Sequence, residues 1–370
     1  MTSSKNRLTF RRVFFSLLAA ALISGLIALG AQIALRAMSE GSFKLAWEEL
    51  LPIAAVSTGL LALVMLIPAN RPVRLLKNLG RVLAFVLVLA IVWSVGAAWI
   101  AQDYFMFPPI DADENAEKEM AADARFERVL LPSPDGEYSG WLWKNAPDKG
   151  ALLIYFGGNG EDATSVLSFS KYRNQGGTLD GYNVLMMDSP GYGRSDGKPN
   201  EESISAMANA AYDFAASHPA IDKDRIVIGG WSLGSGTAAR LAAEKNPAGL
   251  LLLAPFYNGK ELVSAFSKDM LDINLPNGVL PIRNPFKSNE YAKKITCPTL
   301  IVASRDDRTI PYEQSERLSK EFPSATLVTL EQGGHSAAWY EEASKVKIHE
   351  FLRQFVSAAP AVEAPAATQP

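Results

Sequence analysis

Cysteine and histidine are scarce in this chain, which has one cysteine and three histidines in 370 residues. The single thiol, Cys297, excludes an internal disulfide and a metal site built from several cysteines. Three histidines argue against a histidine-rich metal site, and we expect neither a metal nor another cofactor. Basic residues are not in excess either, since the net charge is −3. A nucleic-acid partner is therefore not expected.

Charged residues are absent from three apolar segments near the start of the chain, 13–35, 50–69 and 82–101. At about 1.5 Å per residue, each is long enough to cross a hydrocarbon core of about 30 Å. Buried core helices are the alternative, but these segments lack a polar face. We predict a membrane domain over residues 1–101 with three transmembrane helices. Cleavage of the first segment as a signal peptide at "ALGAQ" would leave two spans.

Basic residues indicate how these spans are oriented. They cluster before the first segment and in the loop between the second and third: Lys5, Arg7, Arg11, Arg12, Arg71, Arg74, Lys77 and Arg81. The positive-inside rule places both clusters in the cytoplasm, and the large remainder of the chain on the opposite side. The expectation is an integral protein of a bacterial inner membrane, in contact with membrane lipids, whose large domain is periplasmic.

The rest of the chain has a different pattern. Residues 102–124 are acidic and rich in alanine, which is typical of a linker or a short surface helix. Short apolar strands and helices then alternate over 125–356, which predicts an α/β fold with a mostly parallel sheet covered on both faces. The stretch 257–290 is too long for a turn between two strands and predicts a small helical cap. The alanine- and proline-rich tail, 357–370, is predicted to be disordered.

One serine stands in a pattern with chemical meaning. Gly230-Trp231-Ser232-Leu233-Gly234 fits G-x-S-x-G, with the apolar strand "RIVIGG" before it and a small-residue helix after it. This context is typical of a nucleophile elbow, in which a sharp turn exposes the serine hydroxyl. The N–H of the residue after the nucleophile, Leu233, then serves as one donor of an oxyanion hole. A structural glycine-rich turn is the alternative.

A serine hydroxyl needs a base, and in this arrangement an acid and then a histidine follow it along the chain. "SRDDRTIP" follows one predicted strand and offers Asp306 or Asp307, and "GGHS" follows the next strand and offers His335. Carboxyl ends of parallel strands share one edge of a sheet, so these residues are expected to meet Ser232 there. The other histidines, His218 and His349, occupy a loop before a strand and a surface helical position.

These segments, with "YFGGNGED" and "MMDSPGYGRSDG", make residues 125–356 resemble the α/β-hydrolase superfamily. The similarity is greatest to its small, membrane-anchored, esterase-like members. The acid of that family usually stands four residues before the proline of an Asp-x-x-Ile/Val-Pro run, which implies Asp307. The resemblance also implies that the Asn159 N–H is the second oxyanion donor. This chain departs from the pattern at Gly157, where relatives often carry histidine.

The sequence thus predicts a membrane-anchored serine hydrolase that acts on an ester, thioester or amide, with a small-molecule or lipid-like acyl substrate. Ser232, His335 and Asp307 are the predicted catalytic residues. A hydrolase-like fold that only binds or scaffolds at the membrane is the alternative. The intact serine, aspartate and histidine argue against it, and the missing loop histidine keeps it open. Oligomeric state is not indicated by any feature of the sequence.

Overall fold

The described part of the chain comes from a computed structural model and covers residues 55–56, 84, 86–96, 99, 102–103, 106–108, 110–146, 149–173, 178–272 and 282–356. The chain divides into two compact units, Met1–Ala101 and Gln102–Pro370. In the first unit, residues 86–96 are helical. Across the described residues, no helix combines the length and the apolar character that crossing a membrane requires.

Several sequence predictions fall outside this described part. The predicted span 13–35 and the tail 357–370 lie wholly outside it, and the span 50–69 is described only at residues 55–56. The span 82–101 is described at residues 84, 86–96 and 99. Membrane insertion of the three segments therefore stays a prediction from the sequence.

Eight strands of the second unit form one sheet, and their bounds are β1 Phe126–Ser133, β2 Gly136–Trp143, β3 Gly150–Phe156, β4 Tyr182–Met187, β5 Ile221–Trp231, β6 Gly249–Leu253, β7 Thr299–Ser304 and β8 Ala325–Leu330. Their order in the sheet is β1-β2-β4-β3-β5-β6-β7-β8. At one edge, β1 and β2 are an antiparallel hairpin that pairs from Phe126↔Trp143 to Ser133↔Gly136. The turn is the predicted Pro-Asp-Gly, and Gly136 adopts a φ of 140° that favours glycine. β2 is antiparallel to β4, and the remaining neighbours are parallel. The predicted mostly parallel sheet is confirmed.

Helices cover both faces of this sheet. Every residue of β3, β4, β6 and β7 is buried, which is why these strands are continuous apolar runs instead of alternating ones. Alternate residues of β3 enter different cores: Leu152 and Ile154 face one cluster, and Leu153 and Tyr155 face the other. The helix bounds are α1 Glu114–Ala122, α2 Ala163–Arg173, α3 Glu201–Ser217, α4 Leu233–Lys245, α5 Gly259–Leu271, α6 Ser288–Ala292, α7 Tyr312–Ser319, α8 Ala337–Tyr340 and α9 Glu342–Val356.

Local sequence explains where these helices begin. Asn200 caps α3 with a reciprocal capping box to Ser203, and Asn258 caps α5 by accepting the Glu261 N–H. Helix α5 and the first residues of α6 lie within the segment predicted to be a cap, 257–290, of which residues 273–281 are outside the described part. Leu262 and Phe266 of α5 are buried in the same core as the sheet.

The carboxyl ends of the parallel strands position the site. The loops that follow β3, β5, β7 and β8 leave the sheet at one edge, because these strands run in the same direction. Those loops carry "GGNGED", Ser232, "RDDRTIP" and "EQGGHS".

Candidate active site

Ser232 lies on a strained turn between β5 and α4. Its backbone has φ 51° and ψ −119°, a conformation that L residues rarely adopt. Glycines on either side make the turn possible. A Cβ at Gly230 would lie 2.3 Å from the Gly234 carbonyl oxygen, and a Cβ at Gly234 would lie 2.2 Å from the Phe156 carbonyl oxygen. Both positions therefore require glycine for close approach of backbone to backbone.

Backbone hydrogen bonds hold this turn in place. The Ser232 N–H donates to the Leu253 carbonyl at 2.9 Å, and the Ser232 carbonyl accepts from the Ser235 N–H at 3.0 Å and from the Ser235 hydroxyl at 2.6 Å. Only 2% of the Ser232 surface is exposed, so its hydroxyl is largely shielded from bulk water. Its Oγ lies 2.9 Å from Nε2 of His335.

His335 joins Ser232 to an acid. Its Nδ1 lies 2.7 Å from Oδ2 of Asp307, whose side chain is only 2% exposed. An ionised carboxylate can only accept, so Nδ1 carries the proton in the neutral ring and Nε2 is free to accept from the serine hydroxyl. The other carboxylate oxygen of Asp307 accepts the N–H groups of Thr309 and Ile310, both at 2.9 Å. Ser232, His335 and Asp307 thus form one hydrogen-bonded line.

Asp306, the other acid considered from the sequence, has a different place. Its carboxylate accepts the Ser304 hydroxyl at 2.6 Å, the Gly334 N–H at 2.8 Å and the Gly333 N–H at 3.1 Å. These bonds, that of the Ser304 hydroxyl first, lower the pKa of Asp306. The two glycines have positive φ, 112° and 67°, and directly precede His335. Asp306 therefore anchors the loop that carries the imidazole, which the sequence did not predict.

Trp231 is a second residue that the sequence analysis missed. Its indole N–H donates to the His335 carbonyl at 3.3 Å, and its ring lies 5.2 Å from the imidazole between centroids. On another side, a Cβ at Gly158 would lie 2.7 Å from the indole ring. Trp231 thus packs between the histidine loop and the loop after β3. Its position in the motif, directly before the serine, was the available signal.

The predicted oxyanion donors lie on two neighbouring segments. Leu233 is the first residue of α4, where an N–H has no acceptor within its own helix. Asn159 is in the loop after β3, whose start touches α4, since a Cβ at Gly234 would lie 2.4 Å from the Gly157 carbonyl oxygen. A cavity of about 20 Å³ is lined by Gly157, Gly158 and Leu233, but Asn159 and Ser232 are not among its lining residues. The positive end of the α4 dipole also lies here.

Two carboxylates accept hydrogen bonds from backbone N–H groups in and near this loop. Glu161 accepts the Gly158 N–H at 2.8 Å, and burial raises its pKa to about 6. Asp188 accepts the N–H of Ala163, the first residue of α2, at 2.8 Å and that of Arg194 at 3.0 Å. Burial raises its pKa to about 6 as well. Glu161 was not predicted from the sequence, although an acidic pair directly follows the glycine-rich run.

The two remaining histidines lie elsewhere. His218 is the residue that ends α3, and its Nε2 lies 3.3 Å from Glu127 of β1. His349 is on α9, a partly exposed position. Only His335 is therefore hydrogen-bonded to Ser232 among the three.

Comparison with known proteins agrees with this architecture. The family described as alpha/beta hydrolase fold matches residues 151–274, and a family described as TAP-like protein matches residues 265–359. The chain belongs to the α/β-hydrolase superfamily. The first of these matches contains both Ser232 and the loop after β3, and the second contains Asp307 and His335.

Individual relatives match part of the chain. An uncharacterised protein of Mycobacterium tuberculosis is 32% identical over 37% of this chain and 47% of its own length. An alpha/beta hydrolase domain-containing protein of Caenorhabditis elegans is 26% identical over 57% of this chain and 60% of its own length. The chain thus spans about half the length of these relatives.

Solved structures show the same fold. An esterase of Pyrococcus furiosus has a TM-score of 0.53 at 19% identity and covers 68% of this chain and 98% of its own. An esterase of Butyrivibrio proteoclasticus with ferulic acid bound has a TM-score of 0.51 at 21% identity, with coverage of 62% and 100%. At these identities the likeness establishes the fold.

Proposed function

We propose that this α/β-hydrolase is a serine hydrolase that cleaves a carboxylic ester, thioester or amide through an acyl-enzyme on Ser232. The observation that carries the proposal is the line of two hydrogen bonds, Ser232 to His335 and His335 to Asp307, at 2.9 and 2.7 Å. A serine on a strained turn, next to a helix N-terminus, adds support. Both similar solved structures named above are esterases, which favours an ester over an amide.

In this mechanism, His335 Nε2 takes the proton of Ser232 as Oγ attacks the substrate carbonyl. Asp307 holds the ring in the required tautomer and stabilises the imidazolium that forms. The N–H groups of Leu233 and Asn159 bind the oxyanion of the tetrahedral intermediate. His335 then gives its proton to the leaving group, and water repeats the sequence to release the acid.

The setting proposed for this reaction is a membrane. Three uncharged segments and the distribution of basic residues favour an anchor over residues 1–101 and a hydrolase domain on the periplasmic side of a bacterial inner membrane. An enzyme held there meets lipid-like acyl substrates at high local concentration. Lipid or acylated small molecules are therefore the substrate class that we propose.

A fluorophosphonate probe tests the chemistry directly, because it reacts with an activated serine without any knowledge of the substrate. Labelling of the wild type that is lost in Ser232→Ala, and kept in Ser217→Ala, is the expected result. Ser217 is the control serine, at the end of α3, and its hydroxyl donates only to carbonyls of its own helix, those of Asp213 and Phe214. No labelling of folded wild type would instead favour the binding or scaffold protein.

A further inference from the structure

Glu161 is a partly buried carboxylate that folds back on the glycine-rich loop after β3. Glycines occupy three of the four positions from 157 to 160, so this loop has little intrinsic rigidity. The Glu161 side chain fills the space beside Gly157, because a Cβ there would lie 2.9 Å from Oε2 and 3.0 Å from the Glu161 Cβ. The Glu161 side chain therefore restricts the positions that the loop backbone at Gly157 can adopt.

Hydrogen bonds between Glu161 and Gly158 run in both directions. Oε2 of Glu161 accepts the Gly158 N–H at 2.8 Å, and the Glu161 N–H donates to the Gly158 carbonyl at 3.3 Å. That carbonyl belongs to the same planar peptide group as the N–H of Asn159. In a trans peptide, C=O and N–H point in opposite directions. Fixing the Gly158 carbonyl toward Glu161 therefore aims the Asn159 N–H away from Glu161.

We propose that Glu161 is a positioning residue, whose ionised carboxylate holds Gly158 so that the Asn159 N–H is aimed at the oxyanion formed at Ser232. The inference rests on the proposed hydrolase function. It assigns to Glu161 the preorganisation of a donor that the loop glycines do not fix by themselves. A hydrogen-bond donor stabilises the transition state most when it is already correctly oriented and does not have to move during the reaction.

The surroundings of the carboxylate make this role dependent on pH. Burial is the main cause that raises the pKa of Glu161 to about 6, while the Gly158 N–H opposes the rise. The carboxylate borders a cavity of about 120 Å³, which is also lined by Tyr155, Tyr340 and Lys345. Other charged or titratable groups that act on it are Asp162, which raises the pKa, and His335, which lowers it. The acceptor is thus ionised above about pH 6 and is lost as the pH falls through that value.

Glu161→Ala and Glu161→Gln, assayed in the full chain with a p-nitrophenyl ester, test this role. Removal of an oxyanion donor costs about 10²–10³ in rate. We expect kcat of Glu161→Ala to fall by about 10², with KM within about twofold of the wild type, and kcat of Glu161→Gln to fall by about tenfold. Glu316→Gln, a carboxylate on α7 that pairs with Lys320 at 3.6 Å, is the matched control and should match the wild type.

The pH profile of kcat/KM separates positioning from general structural support. In the wild type, protonation of Glu161, whose pKa is raised to about 6, contributes to the acid limb, which should therefore be steeper than that of Glu161→Gln. An unchanged limb, an unchanged kcat in Glu161→Ala, or a rise in KM alone would overturn the inference. The Gln profile decides if Glu161→Ala does not fold. Failure of the proposed function is a different result, since the wild type itself would then show neither turnover nor labelling that depends on Ser232.

Discussion

Replacing Asp307 by asparagine should put His335 in the wrong tautomer while leaving the fold intact. Oδ1 of Asp307 accepts two backbone N–H groups, those of Thr309 and Ile310, at 2.9 Å. In Asp307→Asn the amide oxygen must stay at that position, because an NH₂ group there would face two donors. The NH₂ group is then directed at Nδ1 of His335, which must accept. The ring proton moves to Nε2, and Ser232 loses the acceptor for its hydroxyl proton.

The size of this effect follows from the loss of the base. An equivalent change of tautomer in serine proteases lowers kcat by about 10⁴, which corresponds to about 5.5 kcal/mol of transition-state stabilisation. We expect a loss of this order in the kcat of ester hydrolysis. Thermal unfolding should stay within a few degrees of the wild type, because the asparagine keeps the bonds to both backbone N–H groups.

Asp306→Asn is the matched control, since it makes the same chemical change one residue away. Asp306 accepts the N–H groups of Gly333 and Gly334 through different oxygens, so the asparagine side chain can keep only one of these two hydrogen bonds. The imidazole of His335 still faces Asp307 in this variant. A loss of about tenfold or less is expected. Activity of Asp307→Asn within tenfold of the wild type, or a larger loss in Asp306→Asn than in Asp307→Asn, would refute the assignment of Asp307 as the acid.

Three further predictions concern stability and topology. Gly234→Ala should lower the free energy of unfolding, measured in urea, by at least about 3 kcal/mol, because the added Cβ would lie 2.2 Å from the Phe156 carbonyl oxygen. Gly334→Ala should lower it by only about 1–2 kcal/mol through backbone strain, because no atom lies within 4 Å of the added Cβ. Glu161→Gln should be more stable than the wild type at pH 7.5 by up to about 2 kcal/mol, because the pKa of Glu161 in the folded protein, about 6, lies above the usual 4.5. This difference in the free energy of unfolding should shrink as the pH falls toward 4.5. Equal stability of the two proteins at pH 7.5 would contradict the prediction. A reporter enzyme fused after residue 356 should be active if it is one that works only in the periplasm. Activity of a reporter that works only in the cytoplasm would contradict the predicted orientation.

Local patterns in the sequence predicted the features that depend on a few adjacent residues. Apolar runs bounded by glycine and proline gave the parallel strands, and Pro-Asp-Gly gave the β1–β2 hairpin. The G-x-S-x-G context predicted the turn at Ser232, and the rule that parallel strands end at one edge brought His335 and an acid, Asp306 or Asp307, to it. The choice of Asp307 came from the resemblance to the α/β-hydrolase superfamily.

Contacts between loops were beyond that reasoning. The indole of Trp231 on the His335 carbonyl, the anchoring of Gly333 and Gly334 by Asp306, and the return of Glu161 onto Gly158 each depend on one rotamer and on how closely two loops approach. No periodicity or motif encodes these quantities. The three apolar segments near the start of the chain stay a prediction, because most of their residues lie outside the described part.

The positive φ of Ser232 has a consequence for how this protein can change over generations. A non-glycine residue in such a sparsely populated conformation costs about 1–3 kcal/mol, so the polypeptide holds at this turn a residue that folding by itself disfavours. If the proposed function holds, a descendant released from selection for turnover would gain stability by drifting to glycine at this position. Retention of serine is then the expected mark of lineages that are still selected for the reaction.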